Sequence, residues 1–263
     1  MIDVNVYLSR WPFRRLPLDE TARLAARLRK SNVAKAWAGS FDGLLHRDVA
    51  AVNARLVSEC RGAGGGILEP IGTINPTLPD WEEDLRRCHE MQRMIGVRLH
   101  PNYHGYKLDD ERCGRLLADA AARGLVVQIA LSMEDERTQH PLLRVPHVDA
   151  APLVEWLTKL PHLRVVLINV FRSLRVEQVD KLAATGRAWF DIAMLEGVAG
   201  VDKLVRQVGP RRVVFGSYAP FFVYDAAELK LRESALAGAV DEAIRSGNAD
   251  QIIGSAAGLP EKR

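Results

Sequence analysis

Eight short runs of apolar and β-branched residues recur about every 25 to 35 residues along the chain, each followed by an amphipathic stretch. The strand candidates are IDVNVYL from Ile2, VAKAWAG from Val33, ILEPIGTI from Ile67, GVRLH from Gly96, LVVQIAL from Leu125, LRVVLIN from Leu163, RAWFDIA from Arg187 and RVVFGS from Arg212. Apolar residues return at three- and four-residue spacing over Leu18 to Lys30, Arg47 to Cys60, Leu78 to Met91 and Glu111 to Gly124. Further helices are expected at Pro152 to Leu160, Val176 to Thr185, Val201 to Val208 and Tyr224 to Leu236. Parallel strands must be joined by crossovers, and a helix after every strand provides them. Eight such units predict an α/β fold, a (β/α)8 TIM barrel with helices 6 and 7 short. The tail from Val240 to Leu259 is expected to add a helix or two closing one end. At 263 residues the whole chain, 1–263, fits one such domain.

Composition narrows the function classes. A formal charge of +3 with 26% charged residues is too small to demand a nucleic-acid or membrane partner. Cys60, Cys88 and Cys113 are odd in number and lack C-x-x-C spacing, so neither a disulfide framework nor a thiolate zinc site is expected. No run approaches 18 apolar residues, and Met1 leads straight into the first strand, so the cytoplasm is the expected location. No G-x-S-x-G, G-x-G-x-x-G or P-loop pattern occurs, and GAGGG at Gly62–Gly66 follows a helix, which makes it a terminator.

Barrels of this kind do chemistry where strands end and βα loops begin. Those positions carry Asn5 and Tyr7; Ser40, Asp42 and His46; Asn75; Arg98, His100, His104 and Tyr106; Gln128; Asn169 and Arg172; Asp191 and Glu196; and Ser217 and Tyr218. In the first strand, Ile2, Val4, Val6 and Leu8 alternate with Asp3, Asn5, Tyr7 and Ser9, the pattern of a half-buried strand. The connection Ser132–Pro152 is long, contains Pro141 and Pro146, and reads as a lid or binding loop.

The phrases IDVNVYLSRWPFR, IGVRLHPNYHGY, LVVQIAL, LRVVLIN and RVVFGSYAPF together resemble the amidohydrolase superfamily, in its branch related to aminocarboxymuconate semialdehyde decarboxylase. The resemblance implies a metal site built from a His-x-His pair on strand 1, histidines ending strands 5 and 6, and an aspartate in a Gly-Ser-Asp phrase on strand 8. Aligned phrase by phrase, those positions hold Asn5 and Tyr7, Gln128, Asn169 and Tyr218. Neutral amides and phenols are poor zinc ligands, so no metal is expected at the usual place. The amides keep size and hydrogen-bonding capacity, which suggests a reorganised polar pocket.

Two functions follow as expectations. The first is a metal-independent hydrolase or lyase acting on a small carboxylated or lactone-like compound. Here His100 serves as acid or base, Arg98 and Arg14 as carboxylate clamps, and Tyr218, Asn169 and Gln128 as donors to developing charge. Asn5, Tyr7, Tyr106 and Arg172 complete the expected substrate site, with Glu196 and His140 as further acid or base candidates. Each residue also has a structural reading: His100 bonding a loop carbonyl, the arginines in salt bridges, Glu196 pinning a loop, Tyr218 plugging the vacated cavity. The second expectation is a pseudoenzyme that keeps the barrel as a ligand- or partner-binding module. No cofactor is expected; the alternative is zinc in a displaced site using His100, His104, His140 and Asp135. The expected partner is an anionic small molecule, with no nucleic acid or membrane, and a homodimer is possible.

Overall fold

The apolar runs pair in parallel, as an α/β chain of this pattern requires. The computed structural model describes residues 1–170 and 173–254. Among these, the strands are β1 (Ile2–Leu8), β2 (Lys35–Ser40), β3 (Leu68–Pro70 with Gly72–Thr73), β4 (Gly96–Leu99), β5 (Val126–Ala130), β6 (Val165–Ile168), β7 (Ala188–Asp191) and β8 (Val213–Val214). β3 is interrupted beside Pro70, which has no N–H to give a ladder. Ile71 still donates to the Ala38 carbonyl at 2.9 Å. Every neighbouring pair is parallel. The ring closes between the chain's two ends, where Val4 N donates to Phe215 O (2.9 Å), Tyr218 N to Asn5 O (2.8 Å) and Tyr7 N to Ala219 O (2.9 Å). This is a TIM barrel.

The surrounding helices are α1 (Thr21–Lys30), α2 (Val49–Arg61), α3 (Trp81–Arg86, continued by a π turn to Met91), α4 (Glu111–Ala122), α5 (Leu153–Lys159), α6 (Val176–Ala184), α7 (Gly200–Val208) and α8 (Tyr224–Glu233). Asp48 and Asp110 cap α2 and α4, accepting from the N–H groups of Ala51 and Arg112. The C-terminal tail forms α9 (Gly238–Glu242), a π turn and α10 (Asn248–Gly254). It seals the N-terminal end of the barrel, where Asn248 Nδ2 donates to Val213 O at 2.7 Å. No helix of the described residues is long and apolar enough to cross a membrane. Cys60, Cys88 and Cys113 are buried, and burial pushes each thiol up to about 12, so they are unreactive.

Two apolar layers divide the strand residues. Val97, Leu99, Val127, Ile129, Val165 and Leu167 face the helices, whereas Val126, Val166, Trp189 and Val214 fill the barrel. The half-buried reading of β1 is corrected here, because all seven of its residues are buried. A bulge between Asp3 and Val6 also breaks its alternation. Ile2 and Val4 belong to the inner layer and Val6 and Leu8 to the outer one, with Tyr7 again inside. A bulge re-aims side chains, and this one carries the polar residues of β1 to the centre.

Candidate functional site

The bulge delivers Asn5 to the end of β7, where its Nδ2 donates to Asp191 Oδ2 at 2.7 Å and to Asn169 Oδ1 at 2.9 Å. Asn169, after β6, has φ 58°, a left-handed conformation that asparagine tolerates better than most residues. Its N–H donates to Asp191 Oδ1 at 3.0 Å. Gly216 makes the approach possible, since a Cβ there would lie 2.7 Å from Asp191 Oδ2 and 3.0 Å from Asn5 Cβ. Burial raises the Asp191 carboxyl to about 7, against the pull of the Asn5 and Asn169 bonds and of Lys230. Asn5 Oδ1 and Asn169 Nδ2 are buried without a protein partner. Asp3 lies on the other side of β1. Its Oδ1 accepts from Asn5 N and Ser217 N, and its Oδ2 from Ser217 Oγ at 2.5 Å. Burial lifts it to about 6.

Arg98 crosses the interior from β4 and is fully buried. Its Nε donates to Gln128 Oε1 (2.7 Å), Nη1 to Val6 O (2.9 Å), and Nη2 to Val4 O (3.3 Å) and Trp37 O (3.1 Å). Gln128 Nε2 donates to Val4 O at 2.7 Å, which completes the clasp. The guanidinium carbon sits 4.3 Å from the centre of the Tyr7 ring. Gly39 leaves it room, because a Cβ there would stand 2.7 Å from Nη1.

Above this clasp the mouth is filled by rings. Tyr7 stacks on Phe41 at 4.6 Å and meets Tyr218 edge-on at 5.5 Å. Tyr218 stacks on Phe221 at 4.7 Å, and Trp11 packs against Phe41 and Phe221. The Tyr7 hydroxyl lies 2.9 Å from His100 Nε2. Burial, then the neighbouring His104 and Arg98, hold His100 well below its ordinary 6.5, so its imidazole is neutral at pH 7. Burial pushes the Tyr7 phenol up to about 12. The long loop lies down over the plug. Tyr218 Oη donates to Met133 O at 2.6 Å, Gln139 exchanges two bonds with Val145, and buried Glu134 accepts from Arg14 Nη1 at 3.1 Å.

The structure thus gathers Asn5, Tyr7, Arg98, His100, Gln128, Asn169 and Tyr218, and spends most of their polar atoms on one another and on the backbone. Arg98 is not posed as a carboxylate clamp, because four N–H groups already meet protein acceptors. Arg14 is likewise engaged by Glu134. Tyr106 stands outside the plug, its buried hydroxyl unpartnered beside a recess of about 290 Å3 lined by Asn102, Pro146 and His147. His140 is exposed, stacked on Phe13 at 5.8 Å, and accepts from Leu142 N, remote from His100. Glu196 lines a separate recess with Lys230 and Phe222. Arg172 lies outside the described residues. Asp3, absent from the sequence-based site, belongs to its network, and so does Asp191, which the sequence placed at a strand end without a role. Their signal was a carboxylate set within an apolar run, in IDVNV and WFDIA.

The donor set does not fit a metal. The positions implied for ligands offer amides and phenols, and His100, an imidazole beside them, is hydrogen-bonded to the Tyr7 hydroxyl. Among the described residues no group of three or more His, Cys, Asp or Glu side chains is arranged to hold an ion. The displaced zinc site is therefore not assembled. His100 and His104 stand edge-on at 5.8 Å, but His140 is elsewhere and Asp135 pairs with Arg137.

A family model described as Amidohydrolase matches residues 12–254, beginning just past β1. Among solved structures the chain is similar to the dihydroxybenzoic acid decarboxylase of Polaromonas sp. JS666, determined with manganese and the inhibitor 2-nitroresorcinol (11% identity, 96% of each chain, TM-score 0.74). It is also similar to 5-carboxyvanillate decarboxylase from Sphingomonas paucimobilis (14% identity, 87% of this chain and 81% of that one, TM-score 0.70). A third is a probable 2-pyrone-4,6-dicarboxylic acid hydrolase from Acinetobacter baumannii with citric acid bound (14% identity, 96% and 98%, TM-score 0.66). No curated protein matches the chain in sequence.

Proposed function

Because this chain belongs to the amidohydrolase family, we propose that it is a member whose barrel centre has exchanged metal-assisted chemistry for a fixed structural core, and that it works by binding. The observation that carries this reading is the Arg98 clasp. A guanidinium bonded to Gln128 puts a permanent positive charge beside the implied ligand positions, where a divalent ion would be repelled. The aromatic plug and the loop over it support the same reading, since among the described residues Asn5 and Asn169 are both fully buried beneath them.

The test is an assay with Mn2+ or Zn2+ on the carboxylated aromatic acids and pyrone dicarboxylates handled by the similar structures. The expected result is no metal-dependent turnover. Turnover that requires metal and disappears in Asn169→Ala would overturn the reading.

A second reading, a metal-independent hydrolase or lyase on a small carboxylate, is favoured by one feature. Asp191 titrates near neutrality beside the unpartnered Asn5 Oδ1 and Asn169 Nδ2. It requires the loop to lift. Metal-free turnover with a pH profile centred near 7, abolished in Asp191→Asn, would establish it.

A further inference from the structure

The opposite end of the barrel carries a second concentration of charge. A recess of about 270 Å3 opens at the N-terminal ends of β6, β7 and β8, lined by His162, Arg164, Arg187, Trp189, Arg211 and Arg212 among others. Arg164 and Arg187 stand immediately before β6 and β7, and Arg211 and Arg212 occupy the 3-10 turn before β8. Four guanidinium groups thus meet in a chain whose formal net charge is only +3.

These cations are held by the fold without carboxylate partners among the described residues. Arg164 is almost fully buried, and its Nη groups donate to the carbonyls of Ile252 and Gly124. Arg187 Nη2 donates to Leu157 O, while its Nε is buried with no partner. The Arg212 guanidinium lies over the Trp189 ring at 5.1 Å. Burial and then the charges of Arg211 and Arg187 all press the Arg212 pKa downward. Burial alone lowers Arg164. Buried charges are ordinarily paired, and like charges gathered around a cavity raise the local concentration of the opposite sign.

We propose that this recess is a binding site for a small multivalent oxyanion, with the forks of Arg187, Arg211 and Arg212 around the anion and the Trp189 face beside its body. Guanidinium forks match the planar oxygens of phosphate and carboxylate. The volume falls just below the roughly 300 Å3 at which pockets for drug-sized ligands begin, so the ligand is compact. A phosphate monoester and a tricarboxylate share this chemistry. The site lies at the end of the barrel away from Asn5 and Arg98 and does not depend on what happens there.

Thermal unfolding of the full chain tests the proposal, with inorganic phosphate or tricarballylate titrated against sodium chloride at matched ionic strength. A saturable rise in Tm beyond the chloride control is expected with at least one of the two, and which one acts identifies the ligand's charged group. The exposed Arg211→Ser change should weaken the half-saturation concentration about tenfold. Arg206→Ser, at an arginine that pairs with Asp202 and does not line the recess, should leave it unchanged. The Trp189 ring beneath Arg212 gives a second readout. Its indole N–H resonance should shift on titration in the wild type, and in Arg211→Ser only at about tenfold higher anion concentration. A response equal to that of chloride for both anions would overturn the proposal. So would a short single-stranded oligonucleotide that binds at physiological salt without competition from either anion.

Discussion

Arg98 Nε donates to Gln128 Oε1 at 2.7 Å, and Gln128 in turn donates to the Val4 carbonyl that Arg98 also reaches. Two side chains from adjacent strands therefore close on β1 from across the barrel. Arg98→Met should take the Arg98 donor from the buried carbonyls of Val6 and Trp37 and from the Gln128 oxygen, leaving Val4 O to Gln128 alone. A loss of about 3–5 kcal/mol is expected, read as a shift in the urea midpoint at unchanged slope. Arg98→Lys should recover less than half, because one ammonium cannot span acceptors on β1, β2 and β5. A loss under about 1 kcal/mol for Arg98→Met would contradict the clasp.

The two buried carboxyls set an unusual pH response. Asp191 at about 7 and Asp3 at about 6 keep protons in the folded barrel that the unfolded chain, near 3.8, has released. Between about pH 4 and 7 these two carboxyls bind more protons in the folded state, so their contribution to stability falls as pH rises through that window, while His100 and His104, held below 6.5 by burial, act in the opposite direction. Glu83, held down to about 2 by Arg86 and Arg87, acts in the opposite direction only as pH falls below its usual 4.5. Urea unfolding of the wild type and Asp191→Asn from pH 5 to 8 isolates the Asp191 share: the stability of the wild type relative to the variant should fall as pH rises toward 7, and a constant difference would contradict the raised carboxyl.

The lowered loop depends on the Tyr218 hydroxyl. Removing it in Tyr218→Phe keeps the ring in the plug and deletes the hydroxyl's bonds to Met133 O and Sδ. Global stability should fall by about 1 kcal/mol. Amide exchange should rise selectively over residues 132–148, and hydrogen exchange read by mass spectrometry distinguishes this from uniform loosening.

Two glycines separate close approach from open space. Gly216→Ala would place a methyl 2.7 Å from Asp191 Oδ2, and overpacking of this kind costs about 1–3 kcal/mol. Gly238→Ala meets nothing within 4 Å and should be neutral or slightly stabilising. Melting temperatures of the two variants, measured side by side, check the contrast.

The barrel was legible because buried parallel strands are short apolar runs whose spacing survives every local irregularity. The bulge in β1 was not, since period-two alternation in residues 2–9 gives no sign of an inserted residue. The positions of Asn5, Gln128 and Asn169 at strand ends could be read, but their partners could not. Whether Arg98 faces a ligand or the carbonyls of Val4, Val6 and Trp37 is decided by barrel radius and by the space at Gly39. Asp3 escaped, and Asp191 was placed at a strand end without a role, because a carboxylate in an apolar run looks like any strand polar residue until its burial is known.

The clasp also bears on the history open to this chain. Restoring a histidine at position 128 would remove the partner of Arg98 and set the new imidazole against a fixed positive charge. Replacing Arg98 first would weaken the barrel before any ligand was in place. Each of these two substitutions therefore costs stability before any ion could be held, and the guanidinium locks the centre in its present form.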